Sequence, residues 1–178
     1  MDTNPLRRAY EALLEAAATV ADSPTRQTPP PGAWNADQIL AHVTIVNALT
    51  SATAATISAG AHTTFENRIA QDTWTIERAI TYAGGNTGLR ERIRTQAELL
   101  CALGEMLSDA ELDTLVPTLL LSNDTVMVDQ MVPLRNLITG LAENELPGHS
   151  NQLLALLPNA AAVAVAAAGT APTATTTT

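Results

Sequence analysis

Trp34-Asn35-Ala36-Asp37-Gln38-Ile39-Leu40-Ala41-His42-Val43 decides the fold. Asn35 can cap a helix, and Gln38 falls at the third helical position, where its side chain can reach back to the cap: a capping box. Trp34 stands ahead of the cap and Ile39 just inside the helix, the placement of a hydrophobic staple that fixes the direction in which the chain arrives. Ile39, His42, Val43, Val46 and Leu49 then share one face. A helix with such a face must bury it against other elements, and here it carries an imidazole inward with the apolar residues. Beyond Leu49 it becomes rich in Ala and Thr and is expected to fade near Gly60.

Working outward, Asn4 and Pro5 open an earlier helix, proline being harmless at the first helical position. Leu6, Tyr10, Leu13, Leu14, Ala17, Val20 and Ala21 form its stripe, and Ser23-Pro24 ends it. Thr28-Pro29-Pro30-Pro31-Gly32 is a stiff connector. Residues 61 to 87 are less regular; Trp74, Ile76, Ala79, Ile80 and Tyr82 suggest a short helix ending at Gly84-Gly85, and this segment as a whole is expected to cover the mouth of a pocket. A third long helix carries Leu89, Ile93, Ala97, Leu100, Leu103 and Leu107. Ser108 and Glu111 predict a brief capped turn before Pro117. Leu119-Leu120-Leu121 and Val126-Met127-Val128 flank the polar Ser122-Asn123-Asp124-Thr125, the pattern of a small hairpin. From Pro133, Leu134, Leu137, Ile138, Leu141, Leu153, Leu154 and Leu157 mark a fourth helix. The expected fold is all-α, a four-helix bundle with a short hairpin between helices three and four. One domain over residues 1–158 is expected, followed by an Ala- and Thr-rich tail, 159–178, without fixed structure.

The chain has 178 residues, 46% of them hydrophobic, enough for one enclosed core. Its net charge is −9 and all of its basic residues are arginine. Without lysine there is no lysine Schiff base and no lysine-dependent phosphate loop. An acidic chain without a basic stripe is poorly suited to nucleic acid, and Arg90, Arg92 and Arg94 read as the solvated side of a helix. The single cysteine, Cys101, sits among Leu99, Leu100 and Leu103 and reads as a small core residue. Met1-Asp2-Thr3-Asn4-Pro5 has no apolar run of a secretory leader, and Ala160 to Ala168 is far too short to span a membrane, so a cytoplasmic location is expected.

Chemistry points to three residues. Glu145 and His149, at i and i+4, share one face of a continuous helix. With His42 on a neighbouring helix they would supply three ligands to a divalent metal and leave positions open for water or substrate. Pro147 and Gly148 stand between them and set a kinked or broken helix against that geometry. His62, alone on a connector, reads as solvent-exposed.

At these residues the chain resembles the DinB-like superfamily, which includes thiol-dependent transferases and mycothiol-dependent maleylpyruvate isomerases. The resemblance spans roughly residues 5 to 157. It is carried by the Trp34 to Val43 block and by Gly148-His149-Ser150-Asn151-Gln152-Leu153, similar to the family's His-Arg-Gly-Gln-Ile ending. In that family a histidine of the second helix joins two histidines four apart on the fourth. His42 and His149 match the first and third by position, and Glu145 stands where the middle histidine is usual. Two histidines and a carboxylate suit zinc, nickel or iron. The resemblance implies a metal-dependent transferase or isomerase in which a low-molecular-weight thiol, activated at the metal, attacks a small electrophile. The other reading is a metal-free helical module holding a small apolar ligand or a partner protein in the same cavity. An Ala-rich helical surface is also compatible with a homodimer.

Overall fold

The computed structural model describes residues 1–25 and 28–158; the expected tail lies outside the described residues. Helix α1 spans Asn4–Asp22 with Pro5 in its first turn, and its cap is Thr3, one residue before the asparagine expected there. It ends where Ser23, held extended ahead of Pro24, leaves helical geometry. Helix α2, Ala36–Ser58, opens on the expected capping box: Gln38 N–H donates to Asn35 Oδ1 and Asn35 N–H to Gln38 Oε1, both at 3.0 Å. A two-residue strand β1 (Phe65–Glu66) and a 3-10 turn (Arg68–Ala70) lead to α3 (Thr73–Ala83), capped by Asp72. Left-handed Gly84 (φ 78°) and Gly85 (φ 81°) turn the chain into α4, Asn86–Met106. Ser108 and Glu111 form the second expected capping box, on the single turn α5 (Asp109–Leu112). Strands β2 (Leu115–Ser122) and β3 (Thr125–Pro133) follow, then α6 (Leu134–Gly140), a π-helical turn (Leu141–Glu145) and α7 (Leu146–Leu154).

The all-α expectation is corrected. Long helices do pack together, α2 against α4 and α1 against α4 and α7, but three strands form a mixed sheet in the order β1-β2-β3, giving a mixed helix-and-sheet fold. The hairpin expected around Ser122 to Thr125 extends into strands of eight and nine residues. Its turn residues Asn123 (φ 48°) and Asp124 (φ 60°) take the positive φ that suits a tight turn and that short polar side chains tolerate. β1 then pairs parallel to β2, Phe65 opposite Thr118 and Glu66 opposite Leu119.

Helix α2 is the centre of the molecule, with buried residues on most of its circumference. That explains its apolar composition: it is long and apolar enough to cross a membrane, yet 67% of its most apolar window is buried inside the fold, as in a core helix. Several of its polar residues are satisfied internally, while the buried Ser51 hydroxyl has no partner among the described residues. Thr44 and Thr50 donate to the carbonyls of Leu40 and Val46. The fully buried Asn47 accepts from Tyr10 on α1 at 2.7 Å and donates to Gln96 on α4 at 3.3 Å, and Gln96 returns to the Thr44 carbonyl. Burial, with the Cys101 thiolate form as a lesser contributor, raises the Tyr10 phenol far above its ordinary pKa, so it is a fixed donor tying α1 to α2. Leu13, Leu40, Leu134 and Leu146 are completely buried in the hydrophobic core, and truncating any one to alanine costs about 2–5 kcal/mol. Cys101 is also in the core, and its burial pushes the thiol pKa up, away from nucleophilic use.

Candidate metal centre

The structure brings His42, Glu145 and His149 together. One donor atom from each lies within 4.8 Å of the other two. His42 comes from the second turn of α2, which its capping box holds in direction; Glu145 ends the π turn and His149 lies in α7. The two histidines are 4% and 8% exposed, and the Glu145 side chain is 35% exposed, so the pair of rings is walled in while the carboxylate reaches the opening.

The hydrogen bonds fix how the rings are presented. His42 Nδ1 is 2.7 Å from the Ala70 carbonyl oxygen, which can only accept, so Nδ1 carries a hydrogen. His149 Nδ1 likewise stands 2.8 Å from Gln152 Oε1. Both rings therefore aim Nε2 inward, and both Nε2 atoms meet the same oxygen, Glu145 Oε1, at 2.9 and 3.2 Å. Burial pushes the Glu145 carboxyl up, but hydrogen bonds from His149 and His42 outweigh it and hold the group well below the ordinary carboxylate range. The carboxylate is thus an acceptor, and so is the Nε2 of a neutral imidazole. Such acceptors face one another at these distances only with a cation between them, a proton or a metal ion. The two contacts to Glu145 are somewhat shorter than the about 3.4 Å between ligands of a tetrahedral ion with bonds of about 2.1 Å, and the three donor atoms span up to 4.8 Å, so an ion would draw the two nitrogens closer together. Outer hydrogen bonds from Nδ1 to a carbonyl are the usual way of orienting a metal-binding histidine.

The feared break at Pro147 does not occur. Leu146 N–H bonds five residues back to the Leu141 carbonyl, and the backbone from Gly140 through Leu146 stays in the right-handed helical region. The wider turn takes up the proline, which sits at the start of α7 where a missing amide hydrogen is tolerated. Glu145 and His149 keep their i, i+4 contact.

The centre opens on a cavity of about 720 Å³. Trp34 lines it, its ring centroid 4.9 Å from that of His42, and the His42 and His149 rings meet edge to face at 4.8 Å. Asn67 and Gln71 hold the hairpin to this wall. Asn67 Nδ2 donates to the Leu121 carbonyl at 3.0 Å while its Oδ1 accepts from Leu121 N–H at 2.8 Å, and Gln71 also donates to that carbonyl. The segment of residues 61–87, expected at the mouth of the pocket, contributes Asn67 and Gln71 to its wall; its helix α3 does not, and there Trp74 and Tyr82 are mostly exposed and flank Arg78. His62 is exposed and joins no cluster among the described residues. Ala70, Asn67 and Gln71 were invisible to sequence reasoning. Gln152 was not: it lies three residues after His149, within reach on the same helix face.

Comparison of the chain with family models, with curated proteins and with solved structures gives no match.

Proposed function

We propose that this protein binds one divalent transition-metal ion through His42 Nε2, Glu145 Oε1 and His149 Nε2, and that it works on a small molecule in the adjoining cavity. The observation that carries the reading is the convergence of two imidazole Nε2 atoms on one ionised carboxylate oxygen, each ring held by an Nδ1 hydrogen bond to a carbonyl oxygen. Two neutral nitrogens and one oxygen suit zinc, nickel or iron. An ion there would supply Lewis acidity and lower the pKa of a bound water or thiol. Glu145 is more open than the histidines.

The sequence resemblance to the DinB-like superfamily favours a particular use of that acidity: holding a low-molecular-weight thiol as thiolate for transfer to, or isomerisation of, a small electrophile. A cytoplasmic setting, where small thiols are kept reduced, goes with it.

Elemental analysis of protein purified without an affinity tag tests the metal reading. The expected result is one ion per chain after exposure to zinc, nickel or iron, and its loss in His42→Ala and His149→Ala with the helical circular-dichroism signal retained. Failure of the native chain to retain any of the three ions would overturn it and leave the metal-free ligand-binding module.

A further inference from the structure

The cavity in front of the candidate centre has the size of a small-molecule site, and its charge is unusual. Among the described residues that line it, the ionisable groups are the three at the centre; no arginine faces it. Arg68, close in sequence to Asn67, is exposed and paired with Glu66 instead. The amides of Asn67 and Gln71 are committed to the hairpin, and Gln152 Oε1 to His149. About half of the surface is apolar, made by Pro29, Pro30, Ala33, Trp34, Ile39 and Leu156, with Ser122 and Asn123 adding uncharged polarity.

The charge balance follows from the ligands. A divalent ion with one carboxylate and two neutral imidazoles carries one net positive charge, which a single anionic donor atom neutralises. A second negative charge elsewhere on the same ligand would meet no cationic side chain among the described residues that line the cavity, inside a chain whose net charge is already −9. Burying it unpaired is costly.

We propose that the ligand of this cavity carries one anionic donor group on an uncharged, partly apolar body, and that the site discriminates against ligands with a second negative charge. This rests on the metal reading above. It narrows the substrate class: a phosphate ester or a dicarboxylate is disfavoured, and an aliphatic or aromatic molecule with one metal-binding head is favoured.

Straight-chain alkane hydroxamates, from two to eight carbons, test this on zinc-loaded protein. Trp74→Phe leaves Trp34, beside His42, as the only tryptophan, so its fluorescence reports occupancy. Each methylene added should tighten binding about fourfold until the cavity is filled, at about 0.8 kcal/mol per buried methylene. The eight-carbon hydroxamate ending in a carboxylate should bind at least tenfold more weakly than its methyl-ended counterpart. Zinc content is measured in the same samples. Zinc-loaded protein with equal affinity along the series, or with no penalty for the terminal carboxylate, overturns this inference alone; protein that retains no zinc overturns both it and the metal reading.

Discussion

Acidification should release the metal in a way whose steepness the hydrogen bonds set. His42 Nε2 and His149 Nε2 stand 2.9 and 3.2 Å from Glu145 Oε1, and their Nδ1 hydrogens are committed to Ala70 and Gln152. A metal ion needs the lone pair of each Nε2, so a proton on either nitrogen competes with it. Each proton released per ion makes the apparent Kd change tenfold per pH unit, equivalent to about 1.4 kcal/mol. With two such nitrogens at most two protons are released per ion, so zinc binds more weakly as the pH falls, with a slope of log Kd against pH no steeper than about two. Glu145 supplies none of these protons. Its pKa is lowered in the fold, so it stays ionised throughout this window. Its own contribution to stability is present above its unfolded value and is lost only as pH falls through the depressed folded value, far below the assay. Zinc titration against a competing chelator gives the slope, and calorimetry in two buffers of different ionisation enthalpy counts the protons. An affinity independent of pH would refute the assignment of the two Nε2 atoms as ligands.

Removing the outer support of one ring, Gln152→Ala, should weaken zinc binding about 10- to 100-fold, read by the same chelator titration, with the circular-dichroism spectrum unchanged. Asn35→Ala removes half of the capping box that starts α2 and should cost about 1 kcal/mol in urea unfolding. Gly88→Ala runs against helix propensity: alanine would ordinarily return about 1 kcal/mol, but a β-carbon there collides with the Ala83 backbone carbonyl at the α3–α4 corner, so the urea midpoint should fall instead of rising.

What the sequence made legible is what local patterns encode. The two capping boxes are complete within four residues each, Asn35 to Gln38 and Ser108 to Glu111, and they fix α2 and α5. His42 was readable as inward because it recurs with Ile39 and Val43, and Glu145 with His149 because four residues bring side chains over one another. The sheet was under-read because its pattern is thin. β1 is two residues long with only Phe65 buried, and most of β3 is exposed, so neither shows the alternation that marks a half-buried strand. β2 and β3 also slip by one residue between Leu120 and Leu121, which breaks the period further. The support of His42 by Ala70 had no sequence signal at all, since any residue carries a carbonyl.

Pro147 links the fold to the site. In an ordinary α-helix its ring would meet the carbonyl of Glu143 and leave it without a donor; here the ladder has already widened, Leu146 reaching back to Leu141. Single π turns of this kind often accompany functional positions, and this one ends at Glu145. Pro147→Ala restores an N–H able to bond Glu143 and so favours the narrower α turn, in which Glu145 would rotate about the helix axis relative to His149. The variant should therefore gain stability to urea, because alanine is the better helix former, while losing zinc affinity by at least tenfold. Equal affinity in the two proteins would show that the widened turn merely accommodates a proline and does not place the carboxylate.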